Sequence, residues 1–400
     1  MTRLQRHLEQ EVSLATNLQV KVLRAGRRLL PHGACPRPRR PDSFQIALAL
    51  CLLLLCWPPG DRQQSSAGPR AGGALPASGP IGPKHVALVI NDADPLSVSI
   101  GRLYQQYRAI PPQQVIRIRF PAGSSSLDPG QFSKLRREIF RRTPEQVQIY
   151  AVAWAAPWRV GCQSITAALS SGVQSLPCPP SCNTTRLNPF FARGDVMRPW
   201  QQLGIRPSML LAATSVVKAE QLIKRGIAAD GTAPNGTVYL LSTSDKARNG
   251  RALRYDLTRT ILSPDLRVRI LQADSLRFHN DVLAYFTGIA RVQGISTNRF
   301  HPGAVADHLT SFGGLLTDSD SATAQTSSLR WLEAGASGSY GTVVEPCAIL
   351  EKFPDPLLLL SYYRRGDTLI ESYWRSVAMP DQGVFIGEPL ARPWPFRGRM

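Results

Sequence analysis

The residues best suited to chemistry lie in the last quarter of the chain, where a strand-like run ends in Asp307-His308-Leu309-Thr310-Ser311. In an extended segment, His308 and Thr310 share a face, so a threonine hydroxyl could meet the imidazole. Such a pair could act as nucleophile and base, with Ser311 as a neighbouring hydroxyl. The other interpretation is that His308 is a structural hydrogen-bonding residue at a strand end. Gly313 and Gly314, which follow Phe312, could expose backbone N–H groups to an anion.

Cys347 is the candidate thiol of the same region. With His308 as base it could be a nucleophile, because thiols beside a positive group are activated. It could equally form a disulfide with one of three cysteines that lie together in a loop rich in Pro, Ser and Asn: Cys162, Cys178 and Cys182. A total of four is even, as an exported chain in an oxidising compartment would prefer. A zinc site is the alternative for the loop cysteines, but no second pair or histidine stands at ligand spacing, so a disulfide is favoured.

Three more residues follow predicted strands, at the positions where ligands bind in parallel sheets. Asp92 stands in Asn91-Asp92-Ala93-Asp94-Pro95 and could contact a polar ligand, whereas Asp94 before Pro95 is typical of a helix N-cap. Trp154 begins a segment with two tryptophans and an arginine, which could line a cleft or pack at a loop junction. Thr287 ends a strand before Gly288.

The composition indicates a globular protein with a strong positive charge. The 400 residues carry a net charge of +19, and 40 of the 47 basic residues are arginine. Nucleic acid or an acidic envelope polymer could bind a protein with such a positive electrostatic potential. No recognisable nucleic-acid module accompanies it, so we do not expect nucleic acid as a partner, and we expect no cofactor and no bound metal.

The N-terminal region predicts export. Residues 46–57 form a twelve-residue apolar run after Arg37, Arg39 and Arg40. As a helix this run reaches about 18 Å, short of the roughly 30 Å of a bilayer core, which favours a signal peptide over a membrane span. We expect 1–60 to be a basic leader, 61–84 a flexible Gly/Ala/Pro linker, and the protein to reach the periplasm or cell envelope. The alternative is that Cys51 or Cys56 is lipidated and anchors the exported protein to a membrane.

The rest of the chain predicts one α/β domain over 85–396. Apolar strands alternate with amphipathic helices, beginning with strand 85–90, helix 97–109, strand 115–120, helix 130–142 and strand 147–154. Continuous apolar strands separated by helices imply a mostly parallel sheet with helices on both faces. The alternation is interrupted over about 161–200, which we interpret as a cysteine-bearing loop insertion, and resumes with strand 209–213.

Several segments resemble a family of exported bacterial proteins whose activity is unassigned, over residues 85–395. They are 91–95 with Ile110-Pro111, 306–314, 335–347 and Gly387-Glu388-Pro389. A more distant similarity, over about 281–390, is to the gingipain-type cysteine peptidases, which implies a caspase-like fold. In that family a His-Gly and a Cys end successive strands as base and nucleophile. Here Thr287 stands at the first position and Thr310 or Ser311 at the second, and a threonine cannot exchange a proton near neutral pH.

Two functional hypotheses follow. The first is a hydrolase of peptide or amide bonds that uses the non-standard residues His308, Ser311 and Cys347. The second is a catalytically inactive binding module of the cell envelope that captures a peptide or glycan. Under both, we expect a cleft at the carboxyl ends of the strands, to which Asp92, Trp154, Thr287 and Thr310 contribute.

Overall fold

The computed structural model describes residues 79–174, 182–317 and 324–397. The predicted leader 1–60, most of the linker and Cys178 lie outside the described residues. Within the described ranges, thirteen strands and nine α-helices form an α/β structure, which confirms the predicted class. The ten strands of the main sheet are β1 Val86–Asn91, β2 Val115–Ile118, β4 Ile149–Val152, β7 Ser208–Leu210, β8 Thr237–Ser242, β9 Arg267–Gln272, β10 Val282–Thr287, β11 Phe300–His308, β12 Gly338–Thr342 and β13 Gly383–Gly387.

The main sheet has the order β2-β1-β4-β7-β13-β12-β11-β10-β8-β9. The pairs within β2-β1-β4-β7 are parallel, as are those within β12-β11-β10-β8-β9. The two groups start with the same arrangement. In the first group, β1 lies between β2 and β4, and β7 lies beside β4. In the second, β8 lies between β9 and β10, and β11 lies beside β10. The last strand, β13, lies between the two groups and pairs antiparallel with β12. The protein is therefore built from two groups of similar topology, joined by a strand from near the end of the chain.

Helices cover both faces of this sheet, as continuous apolar strands require. One face is packed mainly by α1 Pro95–Tyr107, α5 Val216–Ala229, α6 Tyr255–Leu262, α8 Pro356–Arg364 and α9 Leu369–Ser376. The other is packed mainly by α2 Pro129–Arg142, α3 Ile165–Ser171 and α7 Leu329–Ala334. The short helix α4 Pro199–Leu203 precedes β7, and a small second sheet consists of β3 Ser126–Leu127, β5 Arg159–Val160 and β6 Gln163–Ser164.

Three helices start with the same local signal, an aspartate followed by proline. Asp94, Asp128 and Asp355 each accept a hydrogen bond from a backbone N–H of the first turn, at 2.9 Å. The proline that follows occupies the first helical position, where no N–H is needed. The predicted role of Asp94 as an N-cap is therefore confirmed.

Part of the expected loop insertion is core structure. Residues 165–171, inside the predicted interval 161–200, form α3, and six of its seven residues are buried. This helix packs against β7 and β13. The prediction of a loop was wrong here because Ile165-Thr166-Ala167-Ala168-Leu169 is too short to show helical periodicity.

Candidate functional site

The loops that follow β8, β10 and β11 lie together, because these three strands are neighbours in the sheet. Thr287 lies opposite His308 in the register of β10 and β11. Gly288 packs directly on the loop after β8, where a β-carbon at its position would lie 2.0 Å from the carbonyl oxygen of Arg248. Only glycine allows so close an approach of two backbones. Thr243 Oγ1 donates to the Gly288 carbonyl at 2.5 Å and further fixes this contact.

His308 is buried, with 1 % of its surface exposed, and both ring nitrogens are hydrogen bonded. The indole N–H of Trp331 donates to Nδ1 at 3.1 Å, and Nε2 lies 2.8 Å from the carbonyl oxygen of Thr326. An indole nitrogen can only donate, so Nδ1 is the acceptor, and Nε2 carries the proton that is donated to Thr326. This neutral imidazole has no lone pair left for a hydroxyl nucleophile. His308 is therefore a structural hydrogen-bonding residue at a strand end, the second of the two interpretations considered from the sequence.

The two hydroxyl residues after β11 differ in their environment. Thr310 is buried, donates to Gln325 Oε1 at 2.6 Å and accepts from Arg248 Nε at 3.2 Å. Ser311 is half-buried, and within the described ranges its hydroxyl has no hydrogen-bond partner. Of the two, only Ser311 presents a hydroxyl that could contact a ligand.

The glycines after Ser311 are used for packing. Gly314 N–H donates to the Thr342 carbonyl at 2.8 Å, and the Gly313 carbonyl accepts from Ser328 N–H at 2.7 Å. A β-carbon on Gly341 would lie 2.3 Å from the backbone of Gly313. The Gly314 N–H is therefore not available to an anion, which contradicts the expectation for this residue.

A buried ion pair lies behind the loops and was not anticipated from the sequence. Arg251 contacts Asp307, and their side chains are 4 % and 1 % exposed. Arg251 Nη2 also donates to the Thr287 carbonyl at 2.7 Å, and Nη1 to that of Pro354 at 3.3 Å. Burial raises the pKa of Asp307, and the Arg251 guanidinium opposes that rise. The pair ties the ends of β10 and β11 to the segment after β8.

Thr287 occupies the position at which the resemblance places a base. It is fully buried, and its hydroxyl has no hydrogen-bond partner among the residues that the structure describes. Its carbonyl accepts from Arg251 and from Leu309 N–H, the latter at 3.0 Å. The residue contributes backbone contacts to the site and no group that titrates near neutral pH.

Cys347 forms a disulfide with Cys182, which is 165 residues away in the chain. The bridge is one of the two interpretations considered for this residue. In the oxidised protein its sulfur carries no thiol, so it supplies no nucleophile. Cys162 is also disulfide-bonded. The Cys182–Cys347 bridge attaches the cysteine-bearing segment to the loop that follows β12.

Lys352 is a second residue that sequence reasoning missed. Its side chain is fully buried, and its amine has no hydrogen-bond partner within the described part of the chain. Burial lowers the pKa of Lys352, and the charge of Glu345 opposes this shift. No periodic or motif signal distinguishes this lysine in the sequence. Among the described residues, no hydrogen bond joins Lys352 to Ser311.

Asp92 and Trp154 do not share a cleft with His308. Trp154 follows β4, four strands from β11, and Asp92 follows β1, five strands from β11. At about 4.8 Å per strand these separations are roughly 19 Å and 24 Å. Because β13 is parallel to β7 and antiparallel to β12, the carboxyl ends of β1 and β4 also lie at the opposite edge of the sheet from that of β11. Asp92 forms an ion pair with Arg117 at 2.6 Å. Trp154 is buried, meets the ring of Phe120 edge-on at 5.3 Å, and donates to the Pro157 carbonyl at 3.1 Å. It therefore packs at a loop junction and does not line a cleft.

The motif Gly387-Glu388-Pro389 has a structural role. Glu388 is fully buried and accepts two hydrogen bonds from Arg108, at 2.9 and 2.6 Å. Gly226 on α5 lies against it, at a position where a β-carbon would be 2.5 Å from Glu388 Cγ. The motif thus joins the end of β13 to α1 and α5.

No family model, curated protein or solved structure matches this chain. Among the described residues, none of the helices combines the length and the apolar character needed to cross a membrane. In the same ranges, no group of three or more His, Cys, Asp or Glu side chains is arranged to hold a metal ion.

Proposed function

We propose that this protein is a catalytically inactive binding module that captures a peptide or glycan at the loops after β8 and β11. The observation that carries the proposal is the state of His308, whose two ring nitrogens are bonded to Trp331 and Thr326. A hydrolase of the kind considered from the sequence needs that imidazole as a base. The disulfide of Cys347 removes the other candidate nucleophile in the oxidised protein.

Four residues, which we call the rim, support a binding role: Asp245, Arg248, Thr310 and Ser311. Arg248 is held by Asp245 at 3.0 Å and by Thr310 at 3.2 Å, and its side chain is 28 % exposed. A partly exposed guanidinium that is already fixed in place loses little entropy when it binds a polar ligand. Ser311 adds a hydroxyl without a partner among the described residues.

The scaffold and the location are part of the same proposal. A caspase-like scaffold is supported by the parallel strands β10 and β11, whose ends carry the loops that the resemblance identifies. Export is supported by the apolar run 46–57 and by the disulfide, because disulfides persist in oxidising compartments. Cell fractionation with a thiol count on the recovered protein tests it, and reduced protein confined to the cytoplasm would contradict export.

The activity is tested with a broad library of peptides and glycans, scored separately for binding and for turnover. We expect bound ligands, no turnover, and weaker binding by Arg248→Ala. Arg277→Ala, an exposed arginine on another loop, is the control and should bind normally. Turnover that is abolished by Ser311→Ala would instead establish the hydrolase, with Ser311 as its nucleophile. If Arg248→Ala and Arg277→Ala bind equally well, the rim is not the binding site.

A further inference from the structure

The outer face of α2 carries a row of positive charges. Lys134, Arg137 and Arg141 are spaced by three and four residues, so they lie on one face of the helix and span about 10 Å. All three are exposed, and none forms an ion pair with a described residue. We call these three residues the α2 stripe.

The stripe borders a concave surface. Together with Arg136 and Phe140, which lie on the same helix, it lines a shallow, open groove of about 530 Å³. The floor of the groove is held in place: Arg136 Nε donates to the Leu169 carbonyl at 2.9 Å, and its guanidinium lies 4.1 Å above the ring of Phe140. Phe140 meets Trp200 edge-on at 5.8 Å. Arg136 is therefore a fixed cation beside the three exposed residues of the stripe, and an anion that binds there meets one side chain that needs no ordering.

The acids nearest in sequence do not neutralise the stripe. Glu138 pairs with Arg142 at 3.0 Å, and Glu145 accepts the indole hydrogen bond of Trp200 at 2.8 Å. Burial lowers the pKa of Arg136; Tyr150 opposes this shift, and the charges of Arg186 and Arg206 add to it. The region therefore contains several cations whose mutual repulsion an external anion would relieve.

We propose that the α2 stripe and its groove bind an anionic polysaccharide, whose charges recur along an extended chain. A row of cations at intervals along a helix matches such a polymer better than it matches a single small anion. This interaction surface is separate from the rim, and the inference does not rest on the proposed function.

Single-stranded nucleic acid and an anionic membrane surface fit the groove less well. Proteins that bind single-stranded nucleic acid offer aromatic faces for base stacking, but Phe140 is covered by Arg136 on its face and met by Trp200 at its edge. Helices that lie on a membrane insert exposed apolar side chains. In α2, Phe132 and Ile139 are buried in the core, and the large exposed apolar residues of the described ranges all lie outside this helix.

The test uses the full chain, labelled dextran sulfate as the probe, and uncharged dextran as the blank. The test variant is K134E/R137E/R141E, and the matched control is R277E/R291E/R299E, which changes the net charge equally at exposed arginines elsewhere. We expect dextran sulfate binding to weaken at least about 10-fold in the test variant and less than about twofold in the control, and to decrease as salt rises. Circular dichroism checks that both variants fold. If the test variant does not fold, K134Q/R137Q/R141Q replaces it, with an expected loss of about threefold.

Three results would overturn the inference. The first is that the wild-type chain does not bind dextran sulfate better than uncharged dextran. The second is that the control variant loses as much affinity as the test variant, which would assign binding to net charge alone. The third is tighter binding to duplex DNA or to vesicles containing phosphatidylglycerol, measured at the same ionic strength, which would make one of these the partner.

Discussion

The buried pair of Arg251 and Asp307 gives a quantitative prediction. In Arg251→Met the Asp307 carboxylate, with 1 % of its side chain exposed, loses the cation that it contacts, and the Thr287 and Pro354 carbonyls lose a donor. Removing one partner of a buried ion pair costs about 3–5 kcal/mol of unfolding free energy. We expect a loss of that size at pH 7, measured by urea unfolding with the disulfides intact.

The variant should recover partly at lower pH. Burial raises the pKa of Asp307 even beside Arg251, and without the arginine this pKa rises further. Protonation then removes the isolated charge, so the difference from wild type should become smaller as the pH falls from 7 to about 5. The double variant R251M/D307L, which buries no charge, should regain most of the lost stability.

A control comes from the same segment. Arg254 pairs with Asp355 at 3.1 Å, but 34 % of its side chain is exposed, so Arg254→Met should cost less than about 1 kcal/mol. If Arg251→Met costs no more than Arg254→Met, the reasoning that the buried pair fixes the ends of β10 and β11 fails.

Three further predictions concern single contacts. His85 is buried, and its Nδ1 accepts a hydrogen bond from Gly82 N–H at 3.1 Å. Burial lowers the pKa of His85 from 6.5 to about 4, so the unfolded chain binds the proton more readily than the folded protein. The unfolding free energy should therefore fall as the pH drops from 6.5 towards 4. Unfolding in urea across this range should show a smaller decrease for His85→Gln, and an unchanged slope would contradict the assignment. Gly288→Ala places a β-carbon 2.0 Å from the Arg248 carbonyl oxygen and should lower the unfolding free energy by about 1–3 kcal/mol. Gly82→Ala is the control, because a β-carbon there has open space around it and should leave the stability unchanged. Equal melting temperatures of the two variants would exclude the clash. Replacing Cys182 and Cys347 by serine should lower the unfolding free energy by about 2–5 kcal/mol, and unchanged melting would mean that the bridge does not restrain the folded or unfolded chain.

The sequence predicts most elements because their signals are local. The predicted strand 85–90 differs by one residue at each end from β1 Val86–Asn91, and the helix start at Asp94 was predicted from cap chemistry. The strand β13 was missed, since Gly383-Val384-Phe385-Ile386-Gly387 is short and carries no alternation. The apolar pattern over 247–262 predicts one continuous helix, but residues 249–254 form a 3-10 helix, and α6 begins only at Tyr255. Arg251, which contacts Asp307, lies within this 3-10 helix.

The site was harder to predict because its chemistry depends on contacts between distant residues. The pattern His308-x-Thr310 correctly places two polar groups at the end of β11, but it contains no information about Trp331 and Thr326, which occupy the imidazole. The order of strands likewise cannot be read from the apolar runs. Asp92 and Trp154 were therefore grouped with His308, although several strands separate them.

The place of β13 has a consequence for biogenesis. Until residues 383–387 have been synthesised, β7 and β12 each present an uncovered row of backbone donors and acceptors, although both strands precede β13 in the chain. Such rows recruit strands from other molecules. A chain in which β13 has not yet inserted is consequently open to self-association along β7 and β12, and insertion of this one strand removes both exposed edges.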